Sequence, residues 1–200
     1  MNNTIASIYP SPFDNQIRHE LNAAVFFKGK VFAYEEAKIT SIKNDGTPMF
    51  PERALFLGLK QLNISPRNVN TWVLPKPKKK NLKELKTFFS FIKAFNGNQQ
   101  QFNIWFKKKV RFIRHHDLHA HLAIGSSNFN KGIYFNIDGG GDLGDTRHSS
   151  WGTFQHQKLK EFGYLKGLNS LANLHSFITE FCRFNTENGK VSGLASYGRL

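Results

Sequence analysis

Cysteine is almost missing from this sequence. The single Cys182 excludes an internal disulfide and a cysteine-rich zinc module. Within FITEFC it reads as a packing residue on a helix. No run of about 20 apolar residues occurs, so no spanning helix is indicated. The opening MNNTIASIYPSPF lacks the basic-then-apolar order of a signal peptide, and the cytoplasm is the expected compartment. Acid is scarce as well: 14 Asp+Glu stand against 28 Lys+Arg, a net charge of +14. Such a balance raises a polyanion or nucleic-acid partner. Much of the excess lies in two clusters, Lys76, Lys78, Lys79, Lys80, Lys83 and Lys86, then Lys107, Lys108, Lys109, Arg111 and Arg114. Both flank LKELKTFFSFIKAF and FNIWFKKKVRFI, where Phe, Ile and Trp recur at helical spacing. A solvated helix face accounts for these cations without a partner, so nucleic acid is not expected; a polyanion-binding module built on the lysines is the alternative from another class.

What is present reads as mixed α/β. TIASIY, NAAVFF and GKVFAYEE are strands, the last two joined tightly at Gly29. ERALFLGLKQL has helical spacing and stops near Asn63 and Pro66. VNTWVL is a strand, a basic helical region fills roughly 78–110, and VRFIRHH runs as a strand into a histidine cluster. KGIYFNIDGGGD is a strand ending in a glycine turn, RHSSWGTFQHQ is its hairpin partner, and SLANLHSFITEFCRF is a helix begun by Ser170. No period of 20 to 50 residues appears.

Three constellations carry chemistry. Asp138, Gly139, Gly140, Gly141 and Asp142 sit where a strand ends, with Thr146 beyond. Glycines let a backbone approach a phosphate, and a strand-end carboxylate can hold magnesium or its waters. A plain hairpin turn reads equally well. His115, His116, Asp117, His119 and His121 gather half of the eight histidines in one stretch. On a helix His115 and His119 share a face and reach one ion, with a third ligand from Asp138, Asp142 or elsewhere. His116 and His121 read as hydrogen-bonded core or surface residues. Finally, His19 and Lys43 flank the first strands; taken alone they are ordinary surface residues, and together they could clamp a phosphate.

Read in order, these strings resemble one family. HHDLHAHLA is similar to the HHxxHAxxA signature of O-carbamoyltransferases of the nodulation and antibiotic-tailoring type, IDGGGDLGDT resembles their D-G-x-G-D turn, and NGKVSGLASYG their E-G-K-x-M-G-L-A-x-Y-G element. HELNAAVFFKGKVFAYEEAKITSIKNDGTPMFPERAL tracks their opening. The resemblance implies the actin-like ATPase, ribonuclease H-like superfold: a mixed sheet with flanking helices, the first lobe plus the start of the second. It implies transfer of a carbamoyl group from carbamoyl phosphate, through ATP and a carbamoyl-adenylate, to a hydroxyl of a small molecule or sugar. His19 and Lys43 match catalytic residues, His115 and His119 a metal pair for iron or zinc, and 138–142 the nucleotide phosphate loop, with magnesium a further candidate there. Residues 1–200 are then the amino-terminal part of the actin-like domain, with 76–114 as a basic helical region within it. A C-terminal lobe and an adenylate-forming domain are expected from the same or a separate chain, and an apolar surface where that lobe docks. A non-catalytic remnant is the other outcome.

Overall fold

The computed structural model describes residues 3–10, 21–42, 50–140, 145–167, 169–184 and 188–198. They form two compact units, 1–113 and 114–200. In the first, alternation sets the strands. β1 (Ile5–Tyr9) buries Ala6 and Ile8, and β2 (Asn22–Phe27) buries Ala23 and Val25. β3 (Lys30–Glu35) returns through Lys28 and Gly29, both at positive φ (49° and 76°), the two-residue turn that a glycine there favours. A short helix α1 (Glu36–Thr40), then α2 (Glu52–Gln61), leads to β4 (Thr71–Pro75).

The basic helical region is two helices, one in each of the two amphipathic segments. α3 (Leu82–Phe91) ends before Lys93, whose φ is 54°, and α4 (Gln99–Lys109) restarts at a capping box made by Asn98 and Gln101. β5 (Val110–Ile113) closes the unit. The sheet order is β3-β2-β1-β4-β5; β2 is antiparallel to both neighbours, while β1, β4 and β5 run parallel. A mixed sheet of this order, with only the second strand reversed, is the ribonuclease H-like lobe of the actin-like superfold, as the sequence implied.

Aromatics fill its core. Trp72 and Phe89 are fully buried and meet edge to face at 5.2 Å, and Phe89 meets Phe106 at 5.6 Å. One buried acid is part of the frame. Pro51 at the N-cap of α2 contributes no side-chain cap, and the Glu36 carboxylate accepts from the backbone N–H of Ala54 at 2.9 Å instead.

The second unit begins with α5 (His115–Gly125) and continues through β6 (Lys131–Ile137), β7 (Ser149–Gln155) and β8 (Lys158–Leu165) to α6 (Leu171–Phe181) and α7 (Asn188–Ala195). Its strands form an antiparallel meander, β6-β7-β8. Ala120 and Ile124 of α5 pack on Tyr134 and Phe154. On β6, Ile133, Phe135 and Ile137 are exposed, as are Leu171, Leu174, Phe177 and Phe181 on α6.

Phe89→Ala should lower the stability of the first unit by about 3–5 kcal/mol through the cavity it leaves, read as a fall in the denaturant midpoint. Phe91→Ala, on the exposed side of the same helix, should move it by less than about 0.5 kcal/mol.

Candidate metal centre

Two imidazoles and one carboxylate converge at the end of β6. His115 and His119, one turn apart on α5, bring their Nε2 atoms to 2.9 Å of each other. Asp138, the residue after β6, places Oδ2 at 2.7 Å from His115 and 3.3 Å from His119. These are ligand spacings. Bonds of about 2.0–2.1 Å from nitrogen and oxygen to one ion put ligand atoms about 2.9 Å apart at right angles and about 3.3 Å apart at tetrahedral angles. The three donors thus fit a divalent transition ion of the iron or zinc type, with no choice between them. The side chain of His115 is 9% exposed, that of Asp138 30% and that of His119 49%, so further positions around an ion would face solvent.

Electrostatics favour the ionised acid. Burial pushes the Asp138 carboxyl up, yet hydrogen bonds from His115 and His119, and from the Gly139 N–H to Oδ1 at 2.6 Å, overturn that and hold it well below the usual carboxylate range.

The start of α5 is pinned by groups the sequence gave no reason to join. Arg147 is buried and donates through Nε to Asp145 Oδ1 at 2.8 Å and through Nη1 to Asp117 and Glu161. Asp145 in turn accepts from the His116 N–H at 3.2 Å, occupying a free donor of the first helical turn. His116 is fully buried, its Nδ1 3.1 Å from Ser150 Oγ, and Asn136 Nδ2 donates to its carbonyl at 2.8 Å. Burial lowers the pKa of its imidazole, which keeps it neutral. It is the hydrogen-bonded core residue anticipated, and His121 is exposed.

Of the sequence candidates, the structure brings together His115, His119 and Asp138, with Gly139 and Gly140 continuing from Asp138. His19, Lys43, Gly141 and Asp142 lie outside the described residues.

One equivalent of Co2+ or Zn2+ should bind per chain in calorimetry. His119→Ala or Asp138→Asn should weaken it by more than about 100-fold, beyond the usual cost of an outer-sphere change, while His121→Ala leaves it unchanged. Burial pushes the Asp145 carboxyl up, but Arg147 and the His116 N–H outweigh it and lower the group to about 2. A depressed acid stabilises the fold above its unfolded value of 3.8 and loses that contribution as pH falls. In acid unfolding Asp145 should therefore account for a loss of roughly 2 kcal/mol between about pH 4 and pH 2, and Asp145→Asn should remove that part of the limb.

No family model matches the chain, and no curated protein matches it. Among solved structures it is similar to YeaZ from Pseudomonas aeruginosa, at 12% identity and a TM-score of 0.44 over 82% of this chain and 68% of that one. It is also similar to an uncharacterised protein resembling the peptidase YeaZ, from the same organism, at 9% identity and a TM-score of 0.46 over 84% and 68%. Likeness of this degree carries no functional argument, and the fold assignment rests on the strand order.

Proposed function

We propose that the chain is the amino-terminal part of an O-carbamoyltransferase, in which carbamoyl phosphate and ATP supply a carbamoyl-adenylate and the carbamoyl group passes to a hydroxyl of a small molecule or sugar. The observation that carries this reading is the double use of Asp138: it completes a three-donor ion site with His115 and His119 and opens the Gly139–Gly140 turn. A centre that could hold a cation beside a glycine turn suits a phosphate ester carrying an electrophilic carbonyl. An ion held there would polarise the carbamoyl oxygen.

The protein's own part follows from simple chemistry. The acceptor oxygen forms a bond to the carbamoyl carbon, the carbon–oxygen bond to the adenylate phosphate breaks, and AMP leaves. His19 accepts the proton of the hydroxyl, and Lys43 stabilises the charge growing on the carbonyl and phosphate oxygens, the roles that the family resemblance assigns to them. Asp138 stays ionised throughout, since both imidazoles donate to it or share its ion.

The test is transfer of labelled carbamoyl from carbamoyl-adenylate to a panel of sugars and hydroxylated natural products, with the adenylate-forming domain and the rest of the actin-like domain supplied. His19→Ala and Lys43→Ala should each abolish transfer and leave the melting temperature in place. Near-normal turnover in either variant would sink the assignment.

A further inference from the structure

A strand at the edge of a sheet leaves a row of backbone N–H and C=O groups without partners, and proteins guard such edges with short strands, charged side chains, proline or bulges. Of the outer strands of the two sheets, three are guarded in this way. β3 begins with Lys30 and ends with Glu35, and β5 is four residues long and carries Arg111. β8 bears Lys158, Lys160 and Glu161 and is irregular where it meets β7. β6 is the exception. It keeps unbroken register with β7 over all seven residues, holds no proline, and after Lys131 has no charged residue. Among the described residues no strand lies on its other side.

Which groups face that side follows from the ends of the strand. Asn130 O accepts from His156 N, and Asp138 N donates to His148 O, both at 2.8 Å, so the even-numbered residues turn their main chain toward β7. Alternation then points the N–H and C=O of Lys131, Ile133, Phe135 and Ile137 outward. Tyr134 packs toward α5, which puts the side chains of Ile133 and Phe135 on the opposite face, where they are 80% and 58% exposed.

The strand KGIYFNI is complementary to itself. Turned antiparallel about Tyr134, it sets Ile133 opposite the second copy's Phe135, and Phe135 opposite the second copy's Ile133. All of these positions face outward, so each pair exchanges two backbone hydrogen bonds, and a β-branched residue against an aromatic one is a favourable cross-strand pair. Lys131 falls opposite Ile137, which leaves the two lysines at opposite ends of the pairing. A chain of charge +14 thus meets itself along this strand without setting like charges against each other.

We propose that β6 pairs antiparallel with β6 of a second copy of this chain, about a two-fold axis at Tyr134, and joins two three-stranded meanders into one continuous sheet. The inference stands on the edge of β6 and does not depend on carbamoyl transfer.

The mass of the 200-residue chain is followed by sedimentation equilibrium from about 1 to 100 µM in about 0.15 M salt. The wild type should pass from monomer to dimer, and amide exchange at Ile133 and Phe135 should slow as the dimer forms. Two double variants test the register at side chains that are exposed in the monomer. Ile133→Lys with Phe135→Lys sets lysine opposite lysine twice and should weaken the dimer by about tenfold or more. Ile133→Lys with Phe135→Glu sets lysine opposite glutamate and should recover it. A wild type that stays monomeric at the highest concentration, as when another segment or protein takes this edge, overturns the inference. So does a dimer in which both variants associate alike, or in which the two amides exchange at the monomer rate. None of these outcomes bears on the carbamoyl-transfer assay, so the two readings fail separately.

Discussion

Asp138 is the constraint around which the second unit is arranged. An ionised carboxylate taken partly out of water is costly unless donors surround it. Here three donors, the two imidazoles of α5 and the Gly139 N–H, meet its side chain, while its own N–H donates to the His148 carbonyl and its carbonyl accepts from Ser170. The end of β6, the beginning of β7, the start of α5 and the cap of α6 therefore share one residue. Shifting β6 by a single position would turn Asp138 to the other face of the strand and undo each of these contacts together.

Holding two histidines 2.7 and 3.3 Å from a carboxylate demands that the first turn of α5 not fray, and helix ends are where fraying is easiest. Two devices prevent it. Arg147 gathers Asp117, Asp145 and Glu161 around one buried guanidinium, whose pKa this company raises against the effect of burial. Removing one member of such a cluster strands the others in a poorly solvated place, so the network behaves as a unit. The second device is His116, which sends α5 into the unit and ties it to Ser150 and Asn136 on the sheet.

Where regular alternation or helical spacing governs, the fold was legible in advance: β1 to β3 with the turn at Gly29, α2, and the helix begun by Ser170 all stand where pattern places them. β8 escaped because KLKEFGYL carries no fully buried residue, so no buried set marks it. The split of the basic region depends on a left-handed Lys93 and on the Asn98 cap, single-residue features that amphipathic spacing does not display. For the site, His115 and His119 follow from helical periodicity, but the third donor stayed open among Asp138, Asp142 and residues elsewhere, because sequence alone does not say which segment folds back toward a helix. Arg147 and His148 lay in what reads as an ordinary hairpin arm; their partners, Glu161, Asn173 and Asp117, come from other segments.

Adjacent histidines on a helix point about 100° apart, so two neighbours cannot serve one ion, and the doublet His115–His116 must divide its labour. Position decides how. His115 lies on the same side as His119 and opens toward Asp138, whereas His116 turns inward to Ser150, where burial depresses its pKa and removes it from proton chemistry near neutrality. An imidazole is large enough to fill the space between helix and sheet and polar enough to answer a buried hydroxyl. A leucine would fill the space and leave Ser150 with one partner fewer; an asparagine would answer the hydroxyl and leave a void. The second histidine of the pair is thus explained by packing and hydrogen bonding alone, whereas the first and third converge on Asp138 in an arrangement that fits an ion.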